Sequence, residues 1–317
     1  MGMVERLRRS GIVLVTVVLG LAVLHPPVGA SPGDIYVVDR VLGDGGRVIR
    51  VDQVTGAQTV ISADDRFRDP FGIALAPNGA ILVADQNALL SDTGDGAVFR
   101  VDPATGNTTV VSSGNKFRSP HGIAVAESGK IVVADPVAGA IFRVNPTTGN
   151  QRVVSRGGLF EDPRGVTVAP NGNILVADEN AFGGPGGVIR VDPRTGSQAR
   201  VSSGGNFINP LGIARTPRRI IVGDETAPGG PGGGTGGVFR VNPRNGNQTL
   251  VASGGNLDRV SGVAVLPSGN FLVANQDGGQ GEGGSIVRLN RRTGNQTVVS
   301  SGGNFADPAD VAVPGGS

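Results

Sequence analysis

The chain has 317 residues, with 28 Lys and Arg against 26 Asp and Glu, no cysteine, no tryptophan and one tyrosine. The absence of cysteine excludes a disulfide framework and a cysteine-linked lipid anchor. With 4% aromatic residues and nearly balanced charge, the sequence lacks the basic field and the stacking side chains typical of nucleic-acid binders.

Residues 1–30 have the order of parts of a secretory signal peptide. Three arginines precede an apolar run at 11–24, and the segment ends in the small residues Val28-Gly29-Ala30. The run is shorter than the roughly 20 residues that a helix needs to cross a bilayer, although an uncleaved anchor is the alternative. We therefore expect a secreted protein, extracellular or periplasmic, with no membrane attachment after cleavage. The mature chain 31–317 has 25 basic and 25 acidic residues.

Four short segments recur in the same order six times, and we name them strands a to d. Strand a opens on Gly72, Gly122, Gly165, Gly212, Gly262 and, in the last copy, Asp310. Strand b ends at Asp39, Asp85, Asp135, Asp178, Asp224 and Asn275. Strand c carries Arg50, Arg100, Arg143, Arg190, Arg240 and Arg288. Strand d is a Thr-Val-Val-Ser type of run, clearest at 109–112 and 297–300.

The recurring segments have the composition of β-strands. Each is rich in Val and Ile, is bounded by Gly, Pro, Asn or Asp, and shows no helical apolar period. Between strands c and d, the sequence Asp-Pro-Ala-Thr-Gly (102–106) and its copies have the residues of a hairpin turn. A four-stranded antiparallel unit repeated every 43 to 51 residues predicts an all-β fold, a β-propeller.

The two ends of the mature chain predict how the ring closes. The chain begins with strands b, c and d of one blade (35–62), and the missing strand a occurs at the far end, at 311–313. Pairing of these segments leaves no exposed inner edge. The sequence therefore predicts a six-bladed propeller of four-stranded blades, with the C-terminal strand completing the first blade.

The segment Pro-Phe-Gly-Ile-Ala-Leu-Ala-Pro-Asn-Gly-Ala-Ile-Leu-Val-Ala-Asp (70–85) resembles the NHL-repeat propellers. It is also similar to the superfamily of gluconolactonases, calcium-binding senescence-marker proteins (SMP-30) and streptogramin lyases. The resemblance covers essentially all of residues 31–317. It implies the propeller fold, but it does not imply one activity, because this ring carries many unrelated functions.

Residues present in every copy are best explained by packing and turn formation, which all blades share. The strand-b aspartates could form a carboxylate ring for a metal, but their recurrence favours capping of backbone N–H groups in the turn that follows. The strand-c arginines are interpreted in the same way, as partners of neighbouring carboxylates or as apolar stems between blades.

The positions where the copies differ are the candidate functional residues. In a propeller the d–a and b–c loops open on one face, around the mouth of the central channel. The divergent residues just before or within strand a, and just after strand b, should meet there. The candidates for binding are Phe71, Arg164 and Asp310, and the candidates for acid–base catalysis are His121, Glu179 and Glu225. The simpler alternative is a solvated loop histidine with scattered charges.

Metal chemistry is restricted by composition. His25 leaves with the signal peptide, so His121 is the remaining histidine and a three-histidine zinc site is excluded. Streptogramin lyases have an aromatic-rich strand with tryptophan where this chain has Ile-Leu-Val-Ala-Asp, and the cation-binding motifs of the gluconolactonases do not align here. The segment 91–96 resembles half of a calcium loop but lacks the distal Glu. Ca²⁺ or Mg²⁺ in the channel remains a hypothesis.

Two functions are consistent with these patterns. The first is a binding or scaffold module, monomeric, that holds a protein or small-molecule ligand at the loop-rich channel face. The second is a divalent-metal-dependent lactone hydrolase or streptogramin-lyase-like enzyme at the channel mouth, with His121 as its acid–base. The uniform blades and neutral mature chain favour the first, and the divergence at the mouth favours the second.

Overall fold

The computed structural model describes residues 33–41, 45–88, 90, 96–227, 236–276 and 283–316. The described chain is built from short β-strands, with a 3-10 turn at Ala181–Gly183. The strands are β1 (Asp34–Val41), β2 (Gly45–Asp52), β3 (Gln58–Ser62), β4 (Pro70–Leu75), β5 (Ile81–Asp85), β6 (Ala97–Val101), β7 (Thr108–Ser113), β8 (Ile123–Val125), β9 (Ile131–Asp135), β10 (Ala140–Val144), β11 (Gln151–Arg156), β12 (Pro163–Val168), β13 (Ile174–Asp178), β14 (Gly187–Val191), β15 (Gln198–Ser203), β16 (Pro210–Arg215), β17 (Ile220–Asp224), β18 (Gly237–Val241), β19 (Gln248–Ser253), β20 (Val260–Val265), β21 (Phe271–Asn275), β22 (Ser285–Leu289), β23 (Gln296–Ser301) and β24 (Pro308–Ala312).

These strands form six antiparallel sheets of four, which we name blades A to F. Blade A has the order β24-β1-β2-β3, and blades B to F each take four consecutive strands, from β4–β7 to β20–β23. The first strand of each order is strand a, at the channel, and the last is strand d, at the rim. The predicted fold class is confirmed: an all-β propeller with six blades of four antiparallel strands.

The C-terminal strand closes the ring as predicted. In β24, Val311 pairs with Val37 and Ala312 with Tyr36 of β1. The innermost strands contact their neighbours around the whole ring, and β24 completes this ring by touching both β4 and β20. The N- and C-terminal parts of the described chain are therefore joined in one sheet.

The hydrophobic core is divided into six clusters, one at each interface between neighbouring blades. Strand b, as in Ile81–Asp85, is buried along its whole length because its two faces contact different blades. Strand d, as in Thr108–Ser113, is half exposed. This gradient explains the composition: continuous apolar runs form the inner strands, and runs of the Thr-Val-Val-Ser type, half exposed, form the outer edge.

The strand-b aspartates are structural, in agreement with the interpretation from the repeat. The buried carboxylate of Asp85 accepts hydrogen bonds from the backbone N–H groups of Arg68, Asp69 and Asn87 at 2.9–3.2 Å. Asp85 thus joins its own b–c turn to the d–a loop beside it, and Asp135, Asp178 and Asp224 repeat the arrangement. These carboxylates hold the loops of the channel face in place.

The outer edge of the propeller, formed by the d strands, contains a second repeated contact. The amide of Gln58 in blade A donates to the hydroxyl of Ser300 in blade F at 2.9 Å, and that hydroxyl donates to the carbonyl of Gly56 at 2.8 Å. Equivalent bonds join other neighbouring blades. Three of the strand-c arginines also bridge blades: Arg100 donates to the carbonyl of Pro146 at 2.9 Å, and Arg143 and Arg240 donate to turn carbonyls of the next blade. For these three arginines the partners are turn carbonyls and not carboxylates.

Candidate functional site

The start of strand a places one side chain of each blade at the channel, and in five of the blades it does so through a β-bulge. In blade B, Pro70 pairs with Asp85 and Gly72 with Ala84, so Phe71 is the extra residue and is turned out of the ladder. The same shift occurs in blades A, D, E and F. The six residues at this position are Phe71, His121, Arg164, Leu211, Ser261 and Ala309, and we name them the neck.

The glycine after each neck residue lets the innermost strands approach closely. A β-carbon on Gly122 would lie 2.3 Å from the carbonyl oxygen of Arg164, and one on Gly165 would lie 2.2 Å from that of Leu211. Gly72 and Gly212 meet the next blade in the same way. Because any side chain would separate the blades, these glycines explain why strand a opens on Gly in blades B to F.

The channel is consequently narrow at the neck and wide beyond it. The space at the neck is about 30 Å³ and is lined by residues such as Phe71, His121 and Leu211. A cavity of about 640 Å³ opens towards the face that carries the a–b turns, between the distal halves of the a strands. We name the face with the d–a and b–c loops the mouth face, and the opposite face the turn face.

His121 is a buried neck residue and not a solvated loop residue. Its ring lies against Phe71, with centroids 3.5 Å apart, and it is 3% exposed. Burial, reinforced by the nearby positive charges of Arg164 and Arg40, holds the pKa of His121 well below its usual 6.5. The imidazole is therefore neutral at physiological pH, and among the described residues its Nε2 has no hydrogen-bond partner.

Charged pairs surround the neck on the mouth face. The guanidinium of Arg40 lies 2.7 Å from the carboxylate of Asp69, 3.6 Å from that of Asp307, and 4.8 Å above the ring of Phe71. Arg40 belongs to blade A and Asp69 to the d–a loop of blade B, so this pair crosses a blade interface. Both side chains are partly buried, which limits screening by solvent.

A second group joins the predicted residues Arg164 and Glu179. The Nε atom of Arg164 is 2.9 Å from Glu179 and 3.0 Å from Asp162. Burial raises the pKa of Glu179, while Arg164 lowers it and the charges of Asp162 and Glu225 raise it further. Glu179 is thus already held by a cation.

Glu225 is held by different partners in the next blade. Its carboxylate accepts a hydrogen bond from Asn209 at 2.5 Å and pairs with Arg259 of blade F at 3.1 Å. The structure therefore brings Phe71, His121, Arg164 and Asp310 to the neck. Glu179 and Glu225 belong to the charged pairs that surround the neck on the mouth face, and we name these pairs the charged rim.

Asp310 is the residue that breaks the glycine ring. Its carboxylate accepts hydrogen bonds from the backbone N–H of Ile73 at 3.2 Å and of Val311 at 2.9 Å. It borders both the neck and the larger cavity. Burial raises the pKa of Asp310 from its usual 3.8 to about 7, against the effect of the two N–H groups. This carboxyl can exchange a proton near neutral pH.

The raised pKa of Asp310 predicts a specific pH dependence of stability. Between pH 3.8 and about pH 7 the folded protein retains a proton that the unfolded chain has released, so the free energy of unfolding should fall as pH rises over this range and level off above about pH 7. Between about pH 5 and pH 8 the wild type should lose about 1–3 kcal/mol more than Asp310→Asn. Urea titrations at each pH measure this difference.

The comparison with Asp310→Asn separates this carboxyl from other groups. Asp39 and Asp85 have pKa values raised to about 6, so they give a slope of the same sign in both proteins. Burial holds the pKa of folded His121 well below 6.5, so this residue gives a slope of the opposite sign as the unfolded imidazole loses its proton, and that slope is also common to both proteins. Parallel curves for wild type and variant over the whole range would contradict the prediction.

The described residues contain no group of three or more His, Asp or Glu side chains placed to hold a metal ion. Residues 91–95 of the calcium-like segment lie outside the described residues, and its last residue, Gly96, lies within them. Residues 228–235 and 277–282 of the long b–c loops lie outside them as well. The described residues therefore provide no set of ligands for the Ca²⁺ or Mg²⁺ that was hypothesised in the channel.

Sequence reasoning missed the partners of the charged rim. The residue just before the strand-a proline varies from blade to blade, and in the structure it meets the variable residue after strand b. Three such contacts cross blade interfaces: Arg40 with Asp69, Gln86 with Ser119, and Glu225 with Arg259, where valine replaces the proline. Variation between copies at that position is the signal that could have identified them.

No family model matches the sequence, and no curated protein matches it. Solved structures do match. A propeller chain of the nidogen/laminin complex superposes with a TM-score of 0.68 at 14% identity, covering 88% of this chain and 97% of that one. TolB from Acinetobacter baumannii gives 0.67 at 15% identity, covering 88% of this chain and 66% of that one. At such identities the likeness shows the six-bladed fold alone.

The N-terminal segment 1–30 lies outside the described residues, so the signal peptide stays a prediction. In the part of the chain that the structure covers, no helix has the length and apolar character needed to span a bilayer.

Proposed function

We propose that this protein is a secreted binding module of the NHL type that holds a protein partner on its mouth face. Residues 1–30 would be removed on export, leaving the propeller of residues 31–317 as a monomer. The mouth face has a buried apolar centre, including Phe71 and Leu211, inside a rim of charged pairs. An apolar centre with a polar rim is the usual anatomy of a protein interface.

The observation that carries the proposal is the narrow neck. A space of about 30 Å³ is far below the roughly 300–1,000 Å³ of small-molecule sites. A ligand on the mouth face must therefore lie across the rim, where the charged groups differ in every blade. The nidogen propeller, which is seen in a complex with laminin, is a fold-level precedent for this use.

The charged pairs on the rim give the partner its specificity in this proposal. Glu179 and Glu225, considered above as catalytic residues, are held by Arg164 and Arg259. Ion pairs fixed in this way present a defined pattern of charge that a complementary surface can match, and mismatched charges disfavour other partners. Arg259, the most exposed of these cations at 47%, is suited to contact a partner directly.

The test uses the mature protein immobilised against secreted and envelope fractions of its source, with retained proteins purified and titrated. We expect the double charge reversal Arg164→Glu and Arg259→Glu to weaken the partner's affinity at least about tenfold. Arg194→Glu, on the turn face, changes the charge in the same sense and should leave affinity unchanged. A partner that binds all three proteins equally, or no retained partner, would overturn the proposal.

The alternative function is a lactone hydrolase or streptogramin-lyase-like enzyme, and one observation favours it. Asp310 borders the larger cavity and has a pKa near 7, which suits proton transfer. Turnover of a lactone or streptogramin, with Ca²⁺ or Mg²⁺ added, would support this function if Asp310→Asn abolished it. The same assay with His121→Ala distinguishes Asp310 from the buried histidine.

A further inference from the structure

Arginines are concentrated at one place on the turn face, between blades E and F. A cleft of about 440 Å³ is lined there by residues of both blades. Five of its ten lining residues are arginines: Arg218, Arg219, Arg240, Arg291 and Arg292. We name this site the arginine cleft. It lies on the opposite side of the propeller from the charged rim, so it is independent of the proposed function.

The blade E wall is a turn that departs from the repeat. In blade B the a–b turn closes with Ala76 donating to Ala80, across a left-handed glycine. In blade E the turn is one residue shorter, and the N–H of Thr216 donates to the carbonyl of Arg219 at 2.8 Å. The hydroxyl of Thr216 also accepts the N–H of Arg219 at 2.9 Å. Arg218 and Arg219 are thus presented on a tightly bonded, exposed turn.

The blade F wall is formed by the c–d turn, where Arg291 stands at a position that holds proline in blades B to E. The guanidinium of Arg291 lies along the a–b turn of its own blade, since a β-carbon on Gly269 would be 3.3 Å from its Nε. Arg240 donates to the carbonyl of Arg291. These contacts fix two guanidinium groups while leaving further N–H donors on each.

No aspartate or glutamate lines the cleft. None of Arg218, Arg219, Arg291 and Arg292 forms an ion pair with a carboxylate in the described part of the chain. Five positive charges around one small space repel each other, and a bound anion relieves that repulsion. The mature chain as a whole is neutral, so its net charge conceals this local excess.

We propose that the arginine cleft binds a compact soluble oligophosphate, meaning a ligand with two or more adjacent phosphate groups. The guanidinium fork matches phosphate oxygens in pairs, and several arginines require several negative charges. The cleft has the volume of a small-molecule site. Its apolar lining residues, Phe271 and Ile221, are 1% and 0% exposed and offer no surface for stacking. Recognition therefore depends on the phosphates and not on an attached base.

The test is calorimetric titration of the mature protein with inorganic tripolyphosphate. We expect binding that weakens as salt is raised from about 50 to about 200 mM. The double variant Arg219→Gln and Arg292→Gln removes one cation from each wall and should weaken binding at least about tenfold. ATP should bind as tightly as tripolyphosphate to within about twofold, because the one aromatic ring that lines the cleft, Phe271, is buried and cannot stack on the base.

The matched control places the same charge loss at equivalent positions of other blades. Lys130 corresponds to Arg219, and Arg194 corresponds to Arg292. Lys130→Gln with Arg194→Gln should leave tripolyphosphate binding unchanged. No binding to the wild type, or equal weakening in both double variants, would overturn the proposal. Binding only to phosphatidylcholine vesicles that contain a phosphoinositide would overturn the soluble ligand and indicate a lipid headgroup.

Discussion

A chain of residues 31–307 should lose its cooperative fold, whereas a chain of residues 31–313 should keep it. The segment between these ends supplies β24, whose register with β1 runs from Asp39–Pro308 to Tyr36–Ala312. It also buries Ala309, Val311 and Val313 in the clusters on both sides of blade A. Fully burying a valine contributes about 1.5–3 kcal/mol, so the total loss approaches the 5–15 kcal/mol of a typical domain.

Calorimetric melting and size-exclusion chromatography measure this effect. The chain ending at Asp307 should show no sharp transition and should associate through the uncovered edge of β1. A peptide of residues 306–317 added in trans should restore the transition, because it supplies the missing strand without a covalent link. A shortened chain that melts like the full-length protein would contradict the pairing of the two ends.

The ring was predictable from sequence because all six copies of the repeat must fit the same order of strands. Six copies of one strand order, with strand a of the first blade displaced to 311–313, leave one simple way to satisfy every inner edge. The repeat also separates structural residues from variable ones. Asp85 and its equivalents are now seen to bond backbone N–H groups, as their presence in every blade indicated.

The form of the channel was not predictable in the same way. Sequence placed Phe71, His121 and Arg164 around one opening, but the structure shows a closed neck there and a cavity beyond it. The cause is local packing: the ring glycines let each strand approach the next at the neck, while larger side chains such as Ile73 and Leu75 line the wider cavity beyond it. Periodicity gives the register of a strand but not the distance between blades.

Charge was the other property that sequence could not resolve. The balanced composition of residues 31–317 excluded a general basic field, yet the structure gathers Arg219, Arg240 and Arg292 from three separate segments into one cleft. The fold also brings together Arg40 and Asp69, which are 29 residues apart in the sequence and whose side chains are 2.7 Å from each other. Net charge averages over surfaces that the fold separates.

Substituting Gly165 by alanine should destabilise the propeller more than the same substitution at Gly72, Gly122 or Gly212. The new β-carbon would lie 2.2 Å from the carbonyl oxygen of Leu211, and this oxygen belongs to backbone that cannot rotate away. Gly165 does not have a positive φ, so the cost is steric and not conformational. Separating blades D and E to relieve the clash should cost about 2–4 kcal/mol of the free energy of unfolding.

Gly184→Ala is the matched control. Gly184 is exposed, has a φ of −153°, and would place a β-carbon with no atom within 4 Å. Its free energy of unfolding, from urea titration, should stay within about 0.5 kcal/mol of the wild type. Because Gly165 adjoins Arg164 and Leu211, its alanine variant should also widen the neck and expose His121, raising the pKa of this histidine in NMR titrations. Equal stability of the two alanine variants, with the pKa of His121 still well below 6.5 in Gly165→Ala, would show that the glycine ring does not close the channel.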